Sequence, residues 1–120
     1  MSVVNENEIA AAEQTAAQVE KENLTFYTHI FATPFVFGEK TFEKMEFNFG
    51  KLTGGDCLAI EAEMQMLGKP LIAPEFSGEF LIRTAARAAG VGSDVLMAMP
   101  MADYNRIRNR ARSFLLRSGL

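Results

Sequence analysis

The sequence predicts an α+β fold in which an N-terminal β-hairpin packs on a small C-terminal cluster of three to four helices. Three observations predict it. Residues 24–50 are rich in Phe, Tyr, Thr, Ile and Val and are divided by Gly38-Glu39-Lys40, the pattern of two strands and a turn. Thr53 to Gly68 carries apolar residues at helical spacing between a cap and a stop. Beyond Pro70, prolines and glycines divide the chain into helix-length segments.

The first 23 residues, rich in Glu, Gln and Ala, hold only Val3, Val4, Ile9 and Val19 as larger apolar side chains after Met1. Such a segment buries little, so it is expected to be a flexible acidic arm, a frayed helix or disordered, with an arm that folds on a partner as the alternative. Residues 24–120 are expected to form a single α+β domain, with the hairpin over 24–50 and the helical part over 53–118. In the first strand Pro34 cannot donate to a ladder, which places an interruption or a sheet edge there. In the second, Phe42, Met45, Phe47 and Phe49 fall two or three apart with polar residues between them, close to the period of a half-buried strand.

Thr53-Gly54-Gly55-Asp56 has the spacing of a capping box, and Gly68 followed by Pro70 reads as a helix stop. Between them Cys57, Ile60, Met64 and Leu67 form one apolar stripe, and the rest of the chain is expected to pack against the stretch from Thr41 to Gly68, the second strand and this helix together. Leu71 to Pro74 reads as a short connection. Pro74 to Ala89 is the next expected helix, with a narrow face of Leu81, Ala85 and Ala88, the pair Arg83 and Arg87 elsewhere, and Gly90 as its stop. Ser93-Asp94 is expected to cap one turn through Met97, and Pro100 separates it from a last helix over Met101 to Ser118. Tyr104, Ile107, Ala111, Phe114 and Leu115 form that helix's apolar stripe. Arg106, Arg110 and Arg117 line another face, with Arg108 and Arg112 beside it.

The chain carries a net charge of −3, unevenly divided. Residues 1–79 hold five Lys and thirteen acids, whereas residues 80–120 hold seven Arg and two Asp. The single cysteine excludes an internal disulfide, and its place on the stripe makes Cys57 a small buried hydrophobe and not a nucleophile. No apolar run reaches membrane-spanning length and the start lacks the pattern of a signal peptide, so a soluble cytoplasmic protein is expected. His29 reads as a strand residue with one satisfied hydrogen bond, since neither metal ligands nor a nucleophile or orienting group stand nearby in the sequence. There is no phosphate loop, paired-cysteine spacing, zinc motif or nucleophile elbow, and Gly54-Gly55 is better read as turn and cap. No enzyme, no cofactor and no small-molecule substrate is expected.

Five arginines within residues 106–117 suit phosphates, but an acidic chain and an arginine face without interleaved aromatics favour a solvated face or an acidic protein partner over nucleic acid. Five of the seven methionines cluster, at Met64 and Met66 and at Met97, Met99 and Met101. They serve either as an adaptable surface for apolar partners or as gap-fillers in a small core, and their spacing leaves both readings open.

Pro34-Phe35-x-Phe37-Gly38 with Phe42, then Phe49-Gly-Lys-Leu-Thr-Gly-Gly-Asp56, Glu61 in the helix behind it, and Leu96-x-x-Met99-Pro100-x-x-Asp103 before a helix ending in Phe114-Leu115 together resemble the phage tail assembly chaperones. The resemblance covers roughly Leu24 to Ser118. It implies a non-enzymatic chaperone, encoded just upstream of the tape-measure protein of a phage or prophage. Such a chaperone keeps the tape-measure protein soluble, recruits tail-tube subunits and is absent from the mature virion. Some family members also exist in a longer, frameshifted form. The family has no catalytic residues to transfer. Phe35, Phe37, Met64, Met66, Met97, Met99, Met101, Arg106 and Arg110 are the expected partner-binding residues, and self-association is left open. A nucleic-acid-binding phage regulator acting through the last helix and a structural tail or head-tail component are the two rival readings.

Overall fold

A computed structural model describes residues 24–69 and 73–117. The expected acidic arm, Leu71 and Ile72 of the Leu71 to Pro74 connection, and Ser118 lie outside them. Strand β1 (Phe26–Phe37) pairs antiparallel with β2 (Lys40–Asn48), and Phe37 stands opposite Lys40. The two-residue turn puts Gly38 at φ 61 and keeps Glu39 out of the left-handed region, as a hairpin turn with glycine first requires.

The ladder slips near Pro34. Ile30 pairs with Lys44 and Phe35 with Phe42, so Phe31 to Pro34 on β1 face only Glu43 on β2. This bulge shifts the inward face of β2 by one residue, which is why Phe42 and Met45 stand three apart while Met45, Phe47 and Phe49 stand two apart. The inward face is a run of rings. Tyr27 stacks on Phe47 with centroids 6.0 Å apart, Phe31 on Phe35 at 5.6 Å and Phe35 on Phe42 at 6.1 Å. A 3-10 turn, Phe49–Lys51, then carries Phe49 against Phe114 at 5.3 Å.

Helix α1 (Gly54–Met66) begins at the expected box: the Thr53 amide donates to Asp56 Oδ2 at 2.8 Å and the Asp56 amide donates to Thr53 Oγ1 at 3.4 Å. It ends with Gly68 at φ 70, whose amide reaches the Gln65 carbonyl while that of Lys69 reaches Met64, a Schellman closure. The next helix starts later than expected. Pro74–Phe76 is a separate 3-10 turn, and α2 (Gly78–Ala89) begins after Ser77, whose hydroxyl accepts from the Phe80 amide at 3.2 Å. Gly90, at φ 71, stops it. Helix α3 (Ser93–Met97) follows Gly92 with no side-chain cap, so Ser93-Asp94 does not cap it. Helix α4 (Met101–Arg117) completes the described chain.

The organising element is α2 and not the strand-to-α1 stretch. Phe80, Leu81, Ile82, Thr84, Ala85, Ala86 and Ala88 are all buried, and α2 alone packs on β2 and on each of the other three helices. Three buried alanines on one helix allow that, because their small side chains let several neighbours approach closely. Buried residues of α4 (Ile107, Ala111, Leu115), α1 (Ile60, Met64) and the hairpin join the same core cluster.

Candidate interaction surfaces

The sequence of α1 is apolar on two sides. Ile60 and Met64 face α2 and are buried, with half-buried Cys57 one turn before them. Leu58, Ala62 and Met66, four residues apart, line the far side, and Leu67 is exposed just past the helix end. Leu58 is 67%, Met66 89% and Leu67 52% exposed. An ordinary surface helix has one wet side, and α1 has no such asymmetry. Leu67 thus leaves the buried stripe to which its spacing assigns it, because the chain has already turned out of the helix there.

Ion pairs fix which side of α1 faces out. Arg87 of α2 donates to Asp56 at 3.1 Å and to Glu63 at 3.2 Å, while Arg83 donates to Glu63 at 3.1 Å and to Glu79 at 3.2 Å. The Thr53 amide, then burial, the Thr53 hydroxyl and Arg87, set the Asp56 carboxyl, on balance holding it below its usual range. Hydrogen bonding from Lys69, with Arg83 adding to it, does the same for Glu79. Cys57 is half-buried beside Glu61, whose carboxylate lies 3.9 Å from Sγ; burial and that carboxylate push the thiol up.

The expected partner-binding residues divide. Phe35, Met64 and Met99 are buried in the core cluster, and Phe37 is half-buried against it, so packing occupies these side chains. The correction has a simple origin: the bulge turns Phe35 inward, and Met64 and Met99 fill gaps beside the small residues of α2. Met66, Met97, Met101, Arg106 and Arg110 are exposed. Of the ten Phe, Phe26 and Phe76 alone are exposed, so the core consumes most of the supply.

A second surface is basic. Along α4, Arg106, Arg110 and Arg117 line a groove of about 700 Å³ that Leu24, Tyr27 and Leu116 complete. The Arg110 guanidinium sits 4.7 Å from the centre of the Tyr27 ring, and Arg112 and Arg108 lie over Phe76 and Tyr104 at 5.1 and 5.9 Å. The arginines therefore do have aromatic neighbours, contributed mostly by other elements. A smaller apolar cleft of about 380 Å³ opens between the start of α1 and the end of α4, lined by Leu52, Cys57, Ile60, Phe80, Phe114 and Leu115 among others.

His29 lies on a strand as expected, but makes two side-chain hydrogen bonds and not one. Buried on β1, it meets Asp103 of α4 through Nε2 at 2.7 Å and the Tyr27 hydroxyl through Nδ1 at 2.8 Å. A carboxylate only accepts, so Nε2 carries the proton it donates to Asp103, and the Tyr27 hydroxyl holds Nδ1 on the other side of the ring. Burial raises the Tyr27 pKa, against the pull of Arg110 and Arg106. The orienting group missing from the local sequence comes from a position 74 residues later. Its effect is to tie the hairpin to the last helix.

Among the described residues no group of three or more His, Cys, Asp or Glu is placed to hold a metal ion, and no helix is long and apolar enough to cross a membrane. No protein-family model, curated protein or solved structure matches the chain. The spacing of Leu58, Ala62 and Met66 was a readable signal of the outer stripe; the His29–Asp103 contact had none.

Proposed function

We propose that this chain is a phage or prophage tail assembly chaperone, non-enzymatic, that holds an apolar segment of the tape-measure protein and recruits tail-tube subunits. It acts in the host cytoplasm and leaves before the virion matures. The observation that carries the reading is the second apolar side of α1. Leu58, Ala62 and Met66 form an exposed stripe on a helix whose other side is already buried, and unbranched Met suits a partner with repeated, unequal apolar faces. Met97 and Met101 at the α3–α4 corner supply further contacts of the same kind. The resemblance in residues 24–118 supports the same function.

Co-expression with the tape-measure protein of the same gene cluster tests it. The parent chain should keep that protein soluble, and Leu58→Glu with Met66→Glu should abolish the effect while thermal unfolding of the chain itself stays unchanged. A tape-measure protein equally soluble without the chain, or protected as well by the substituted form, would sink the reading. Recovery of the chain in purified particles would favour a structural tail component instead.

A further inference from the structure

Leu24, the first described residue, lines the basic groove of α4, so residues 1–23 leave the domain from the groove's own edge. That segment holds Glu6, Glu8, Glu13, Glu20 and Glu22 against the single Lys21. Arg106 and Arg110 are both exposed, and neither forms an ion pair with a described carboxylate, whereas Arg83 and Arg87 of α2 hold two each. Arg106 and Arg110, neither in an ion pair with a described carboxylate, thus stand at the root of an acidic segment.

We propose that residues 1–23 dock in cis along the α4 groove, with their carboxylates on Arg106 and Arg110. Distance permits it: an extended chain advances about 3.3 Å per residue, so Glu22 and Glu20 come within about 7 and 13 Å of Leu24, and the α4 arginines span about 16 Å at 1.5 Å per residue. The tether supplies an effective concentration on the order of millimolar, enough for a few exposed ion pairs to hold a weakly bound segment. Half-exposed Leu116 offers an apolar place beside the arginines for Val19. The docked segment neutralises the groove and competes with any acidic protein or nucleic acid for it. This goes beyond the chaperone reading and stands on separate residues from the α1 stripe.

Hydrogen exchange of the full-length chain, read by mass spectrometry, tests the docking. Two variants serve as references: Glu13→Gln, Glu20→Gln and Glu22→Gln together, which leave the described domain untouched, and Arg106→Gln with Arg110→Gln. Amides of residues 1–23 should exchange roughly 3 to 10 times more slowly in the parent than in either variant at low salt. High salt should remove the difference, and dilution should not change it. Equal exchange rates in parent and variants would overturn the proposal. Protection lost on dilution would overturn it too, since the segment would then belong to a second copy.

Discussion

Asp103 is the side chain whose loss the hairpin should feel most. Asp103→Ala leaves a buried imidazole N–H without an acceptor, which costs about 1–3 kcal/mol. The fall in unfolding free energy should shrink when His29→Phe is already present, and a double-mutant cycle showing no coupling would refute the link. Cys57→Ser, by contrast, should cost less than about 1 kcal/mol, because the side chain is half-buried and a hydroxyl there has Glu61 within reach. With its thiol pushed up, Cys57 should react slowly with alkylating reagents near neutral pH; labelling as fast as a free thiol would contradict its packing beside Glu61. These two residues also mark how far the sequence can be read. The capping box at Thr53 and Asp56 and the stops at Gly68 and Gly90 are local, so three or four letters suffice to find them. His29 and Asp103 are joined only by the tertiary fold, and no spacing rule connects positions so far apart.

At the level of elements, α1 makes the clearest prediction, since its two apolar sides should respond oppositely to the same chemistry. Met66→Lys or Leu58→Lys should change stability by no more than about 0.5 kcal/mol, the ordinary range for exposed sites. Ile60→Ala on the inner side should cost about 2–5 kcal/mol. Chemical denaturation of the three variants distinguishes the sides, and comparable losses would mean that α1 is rotated about its own axis, with Leu58 and Met66 turned toward α2. The α4 stripe of Ile107, Ala111 and Leu115 was legible because one side is apolar and the other polar. The central place of α2 was not. Its narrow stripe of Leu81, Ala85 and Ala88 indicates one close neighbour, whereas the alanines permit neighbours on several sides at once, a fact about its surroundings and not about its own letters.

Over the whole molecule, acidic residues of α1 and of the start of α2 meet Arg83, Arg87 and Lys69, and the result should show as acid sensitivity. The folded pKa values of Asp56 and Glu79 are lowered, so the unfolded chain takes up protons first as the pH falls. Their contribution is complete above the ordinary carboxylate range and is lost as the pH drops through it toward the lowered folded values. Tm should therefore stay level from neutrality to about pH 5 and decline below that. Lys69→Gln, which removes the chief cause at Glu79, should make the decline shallower; an unchanged slope would mean that the pair contributes nothing to folding.

The knot of His29, Tyr27 and Asp103 also bears on the order in which a ribosome delivers the chain. The hairpin emerges first, with its inward rings facing water, and the helices that cover them are made later, α4 last of all. A nascent or prematurely released chain ending before Asp103 could pack α2 on β2 but would leave His29 without its acceptor and the Tyr27 and Phe49 rings without Arg110 and Phe114, on a two-stranded sheet with both edges unpaired, the kind of surface that seeds aggregation. Synthesis of α4 then acts as a checkpoint: only chains that reach it can close the aromatic face, and shortened products become visible to the cell's proteases.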